Sequence, residues 1–217
     1  MRIVFPFLIF YSLFFSACRK NKELVVEIKG RITNSGDQTS AAGVTVKVKF
    51  QEIGSGSISS AFKTIATTTT DASGNYSVSF DKPAAAEYRF ELSSPKHFAT
   101  EINESADAFS ANESNTRNFE LDPISFFSVR LKNNSPVGVQ DQIIFQNTSE
   151  SYSCSSCCGN TPVILQGMTV DTTFVCRRKG GRFIRFSWTV TKGGVNQFYT
   201  DSVITPNYDT TYRLISY

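Results

Sequence analysis

The chain has 217 residues, with 22 Lys plus Arg against 19 Asp plus Glu and a formal net charge of +3. So even a balance gives no reason to expect nucleic acid or a strongly acidic partner. A single His, a single Trp and two Met stand beside 19 Phe and 8 Tyr. Few stretches carry the Ala/Leu/Glu/Lys mix that favours helices, whereas β-branched and aromatic residues suit a pleated, half-buried surface. The expectation is an all-β protein.

Residues 1–17 read MRIVFPFLIFYSLFFSA: one Arg, an apolar run from Ile3 to Phe15, then small residues at Ser16 and Ala17. This is the charged, apolar and small-residue pattern of an export signal. The apolar run is shorter than the eighteen or so residues that argue for a membrane span. Phe15-Ser16-Ala17-Cys18 resembles the lipobox of bacterial lipoproteins, with Ser16, Ala17 and Cys18 in place and Phe15 where Leu is usual. The resemblance implies that Cys18 is acylated and becomes the mature amino terminus. It also implies an outer-membrane lipid anchor in the cell envelope, on either face of that membrane. Acyl chains contribute about 0.8 kcal/mol per buried CH₂. Residues 18–23 then form a tether in which Arg19, Lys20 and Lys22 can meet anionic head groups.

From Leu24 the pattern turns to period two. In LVVEIKGRIT, Val26, Ile28 and Ile32 share one face and Glu27, Lys29 and Arg31 the other. GVTVKVKF, NYSVSF, EYRFEL and TRNFEL repeat the alternation, and further strands are expected at 61–69 and 98–102. Alternation of this kind marks a strand with one wet face. Turn residues at NSGD, GSGS, DASGN and DKP separate the runs. About seven short strands over residues 24–122 predict a β-sandwich.

The segments GRITN, AAGVTVKV, TTTDASGNYSVSF and YRFELSS resemble the carboxypeptidase regulatory-like, or transthyretin-like, domain. Gly43-Val44 match the pair that opens the second strand there, and Thr70-Asp71-Ala72-Ser73-Gly74-Asn75-Tyr76 match its hairpin. The physics of the residues agrees: Asp71 can accept backbone N–H bonds, Gly74 can take positive φ, and Tyr76 can re-enter a core. The resemblance implies an accessory module and no particular activity.

Asp122-Pro123 marks the expected junction. Over 124–217, FFSVRLKN, VQDQIIFQN, RFIRFSWTV, NQFYTDSVI and TTYRLISY predict a second sandwich, giving two β-sandwich domains (transthyretin-like or Ig-like) in tandem.

Cys154, Cys157, Cys158 and Cys176 lie in this half. A four-thiolate zinc site wants two tight knuckles, and an exported chain meets an oxidising compartment, so disulfides are expected. Adjacent Cys157 and Cys158 make a strained pair. The pairings Cys154–Cys157 with Cys158–Cys176, or Cys154–Cys158 with Cys157–Cys176, both remain open.

Arg177, Arg178, Lys179 and Arg182 surround Gly180-Gly181. They read as a solvated hairpin tip or as a contact for an anion. His97 is the only histidine, so any Ser–His–acid arrangement would need it. No phosphate-binding loop, dinucleotide fingerprint or metal motif is present in the sequence, so no catalytic residue, metal or cofactor is assigned. The function read from the sequence is a non-catalytic, lipid-anchored envelope protein that binds a protein partner or a glycan. The alternative is an adhesin or structural surface subunit that self-associates through an unpaired strand edge; a third reading, an unrecognised hydrolase, requires a pocket with two carboxylates in reach of one another.

Overall fold

A computed structural model of the protein describes residues 23–54, 56–149 and 160–217. It is all-β, with two sandwiches in tandem, each closed around its own apolar core.

In the first sandwich one sheet is built on β1 (Val25–Asn34), flanked by β4 (Asn75–Asp81) on one side and by β7 (Ser114–Thr116) and β8 (Phe119–Leu121) on the other. The facing sheet runs β3 (Ser57–Thr69), β2 (Thr45–Gly54), β5 (Ala85–Ser93) and β6 (Thr100–Ser105). Alternation in sequence becomes alternation in burial. Val26, Ile28 and Ile32 of β1 meet Val46 and Val48 of β2, Tyr76, Val78 and Phe80 of β4, and Tyr88, Phe90 and Leu92 of β5. Phe109, just past a 3₁₀ turn at Ala106–Ala108, closes the core. Its ring sits edge-on to Tyr88, with centroids 5.1 Å apart.

The Asp71 hairpin forms for the reason its residues suggest. Asp71 Oδ1 accepts from Ser73 N and Asn75 N, both at 2.8 Å. The hydrogen bond from Asn75 N is the leading reason its carboxyl lies below the usual range. Gly74 has φ +79, and a Cβ there would meet Ile32 O at 2.4 Å.

TRNFEL, expected as one strand, divides into β7 and β8. Between them Arg117 O accepts from Tyr76 Oη (2.8 Å), and the Asn118 side chain stands in for a main-chain acceptor toward Arg31 N (2.9 Å). Both short strands pair with β1 in parallel.

In the second sandwich, β9 (Ile124–Lys132) lies between β12 (Asp171–Lys179) and β15 (Thr210–Ser216). The facing sheet runs β11 (Val163–Gln166), β10 (Gln142–Asn147), β13 (Arg182–Lys192) and β14 (Val195–Thr205). Its core gathers Phe127, Val129, Leu131, Ile143, Phe145, Cys176, Ile184, Phe186, Val190 and Ile215. Trp188 stacks between Phe186 (5.9 Å) and Tyr199 (5.3 Å), carrying the aromatic layer outward to β14. Here too the first strand pairs in parallel with the last, β9 with β15, from Phe126↔Thr210 to Lys132↔Ser216. The chain therefore enters each sandwich at one pole and leaves at the other.

Candidate functional site: the junction and its basic cavity

The two sandwiches are joined with no free linker. β8 ends at Leu121 and β9 begins at Ile124. The stretch from Asp122 to Ile124 is held by three main-chain bonds, two to the 96–98 segment and one to Gly180. Phe98 N donates to Asp122 O (3.0 Å), Ile124 N to Lys96 O (2.8 Å), and Gly180 N to Pro123 O (2.8 Å). The β12–β13 turn thus packs into the first sandwich. A Cβ on Gly180 would sit 2.5 Å from Ser125 Oγ and 2.7 Å from Asn207 Oδ1. Glycine is required there by contact, since nothing larger fits.

Around this backbone lies a polar network. His97 is 3% exposed. Its Nε2 is 2.8 Å from Asn34 Oδ1 and its Nδ1 is 2.6 Å from Ser94 Oγ. Tyr208 Oη donates to the same Asn34 Oδ1 at 2.6 Å, across 174 residues of sequence. The neutral imidazole with its proton on Nε2 satisfies all three groups, because Ser94 can then donate to Nδ1. Burial, and next Lys96, hold the His97 pKa below its ordinary value. Burial raises that of Tyr208.

The Ser94–His97–Asn34 line resembles a nucleophile relay in composition only. Ser94 Oγ also accepts from Lys96 N (3.1 Å), which makes it a turn cap. Beside this network Asn207 Nδ2 donates to Asp37 Oδ2 at 2.6 Å, linking the sandwiches a second time.

The basic cluster singled out in the sequence falls at the same place, and its members separate. Lys179 Nζ is 2.5 Å from Asp122 Oδ2, and Arg182 reaches Asp122 Oδ1 at 3.4 Å. Ser35 Oγ donates to the same carboxylate. Burial alone would raise the Asp122 pKa. The hydrogen bonds from Lys179 and Ser35 outweigh it and leave the group below its usual range. The guanidinium of Arg177 lies 4.7 Å from the centre of the Phe98 ring, a cation–π contact between the sandwiches. Arg178 is buried. The turn is accordingly a clamp between domains, and the reading of a solvated hairpin tip is corrected by these contacts.

A cavity of about 600 Å³ opens beside the clamp. Arg178, Lys179, Arg182 and Arg185 line it, together with the hydroxyl-bearing Thr148 and Ser149. Four cationic side chains thus border one opening, and Asp122 faces two of them.

Cys18, Cys154, Cys157 and Cys158 lie outside the described residues, as does the leader at 1–17. Cys176 is in the core, opposite Phe127 on β9. Among the described residues no His, Cys, Asp and Glu group could hold a metal ion, and no helix is long and apolar enough to cross a membrane.

No protein-family model matches the chain, and no curated protein matches it. Similar solved structures include the Bacillus anthracis TIE protein, at 8% identity and TM-score 0.41, covering 89% of this chain and 34% of that one. The D295N mutant of the shaft pilin SpaA from Lactobacillus rhamnosus GG is 12% identical, with TM-score 0.33 and coverage of 88% and 98%. A streptococcal ancillary pilin is 14% identical, with TM-score 0.36 and coverage of 89% and 62%. The chain spans about a third of the TIE protein. At these scores the likenesses carry no argument, and the assignment of two β-sandwiches rests on the strands themselves.

Proposed function

We propose that the chain is a non-catalytic envelope subunit. In this reading it is a stalk of two sandwiches held in fixed relation, lipid-anchored through Cys18, that presents its second sandwich to a protein partner or glycan. One observation carries this: in both sandwiches the first and last strands pair in parallel, so the chain passes from pole to pole twice. The clamped junction supports it, because three main-chain bonds to segments on either side of the linker oppose hinging. His97, the sole histidine, is buried and ties the junction together through both ring nitrogens.

Small-angle scattering from the purified protein tests the reading. A single elongated shape is expected, and a broad distribution of inter-domain distances would overturn the stalk. Mass spectrometry of the native amino terminus is expected to show acylated Cys18, and an unmodified terminus would remove the anchor.

A further inference from the structure

Exposed sheet edges are templates for further pairing, and proteins blunt them with lysines, prolines, bulges or short length. Here β11 has only four residues, while β12 and β15 carry Arg177, Lys179 and Arg213. β3 bears Lys63, and its pairing with β2 shifts register twice. β14 is different. It is an eleven-residue edge strand without Lys, Arg or Pro, and it pairs with β13 through eleven consecutive positions with no bulge. Its single charge, Asp201, is paired with Arg213.

The two-residue turn at Gly193-Gly194 sets which groups face outward. It makes Lys192 and Val195 a mutually bonded pair, and the ladder then alternates. Residues 197, 199, 201, 203 and 205 bond to β13, while 196, 198, 200, 202 and 204 turn their N–H and C=O away. Two contacts agree with this. Ser202 N is satisfied by the neighbouring Asp201 side chain (2.7 Å), and Ile204 O by Thr211 Oγ1 (3.3 Å). The outward N–H and C=O groups of Phe198 and Thr200 have no partner among the described residues.

We propose that β14 pairs antiparallel with β14 of a second copy of this chain, about a twofold axis through Thr200. Thr200 is the midpoint of Val195–Thr205, so this register aligns the strand over its full length, with Ser202 N and Ile204 O exchanging their side-chain bonds for those of the partner strand. Self-complementarity selects a second copy as the occupant. Phe198 of one copy lies opposite Ser202 of the other and diagonal to Ile204, within reach of an aromatic ring. Phe198 and Ile204 are 69% and 50% exposed in the single chain, and the pairing covers both twice. On the other face Asp201 falls opposite Tyr199 and never opposite Asp201 of the second copy, so no like charges meet. One strand pair buries less than the roughly 1,600 Å² of a standard interface. The association is therefore weak in dilute solution and grows where copies are held on one surface. It stands whether or not Cys18 carries lipid.

Sedimentation of the full chain over a concentration series, with a photo-crosslinking amino acid at Thr200, tests this. The expected result is a reversible dimer whose crosslinked peptides both come from 195–205. Thr200→Pro removes an outward N–H that β13 does not use. It is expected to weaken the dimer at least about tenfold with an unchanged unfolding midpoint. Phe198→Lys serves the same purpose should the proline variant fold poorly. A monomer at every concentration, a dimer indifferent to both substitutions, or crosslinks to any other sequence would overturn the proposal.

Discussion

The two sandwiches share an architecture and differ in their outer surfaces. On the first, charge is laid across the strands as pairs: Lys49 and Lys47 on Glu91, Arg89 on Glu101, and Lys63 on Glu52. On the second, the outer faces carry Phe126, Val175, Tyr212 and Leu214 on one sheet and Ile164, Phe183, Phe198 and Ile204 on the other, all exposed. Cross-strand ion pairs contribute little stability each, yet they keep a sheet soluble and solitary. The outer faces of the first sandwich are crossed by these charge pairs, whereas the second leaves large apolar side chains exposed on both of its sheets.

The comparison can be broken most directly at the cores. Phe90 is wholly buried between Phe109 and Phe119, and Phe186 between Phe127 and Phe145. Each, changed to Ala, is expected to cost about 3–5 kcal/mol, read as a fall in the denaturant midpoint. Phe198→Ala on the outer face should change the same midpoint by less than about 0.5 kcal/mol. An equal cost at Phe198 would erase the distinction between a core side chain and a contact side chain.

At the junction, Asp122→Ala removes the shared partner of Lys179, Arg182 and Ser35. A loss of about 1–2 kcal/mol is expected, together with the appearance of two separate thermal transitions in calorimetry. One cooperative transition in the variant would mean that the remaining contacts suffice to couple the sandwiches.

The pH dependence follows from His97. The unfolded chain takes up its proton near pH 6.5, and the folded chain only at lower pH, because burial and Lys96 oppose the charge. The unfolded state therefore binds the proton first as pH falls, and stability rises with pH in this window. It is complete above about pH 6.5 and declines below it, down through the folded pKa. Urea midpoints at pH 7.5 and 5.5 are expected to differ in that sense, and His97→Gln to flatten the difference. The smallest effect belongs to the first sandwich's surface: Lys49→Ala should cost about 0.2–1 kcal/mol and less in high salt.

Strands with one wet face could be read in the sequence because burial imposes period two on them, as in β1, β4 and β13. β12 could not. Its inward positions mix Arg178 with Phe174 and Cys176, and Val175 faces outward, so the alternation that marks a strand is blurred there. β11 is too short to show a period. The basic cluster was visible as a run of residues, but its meaning was not. Asp122, Ser35 and Phe98, which take up Lys179, Arg182 and Arg177, are 50 to 150 positions away in sequence. The place of His97 could not be read for the same reason, since Asn34 and Tyr208 reach it only once both sandwiches exist.

The parallel pairing of first and last strands has a mechanical consequence. Tension applied between the two ends of a sandwich slides β9 along β15, and β1 along β7 and β8, in opposite directions. All the bonds of a ladder then bear load together, instead of parting one after another as a hairpin does when peeled. A tethered chain of this topology would resist pulling far better than its thermal stability alone suggests.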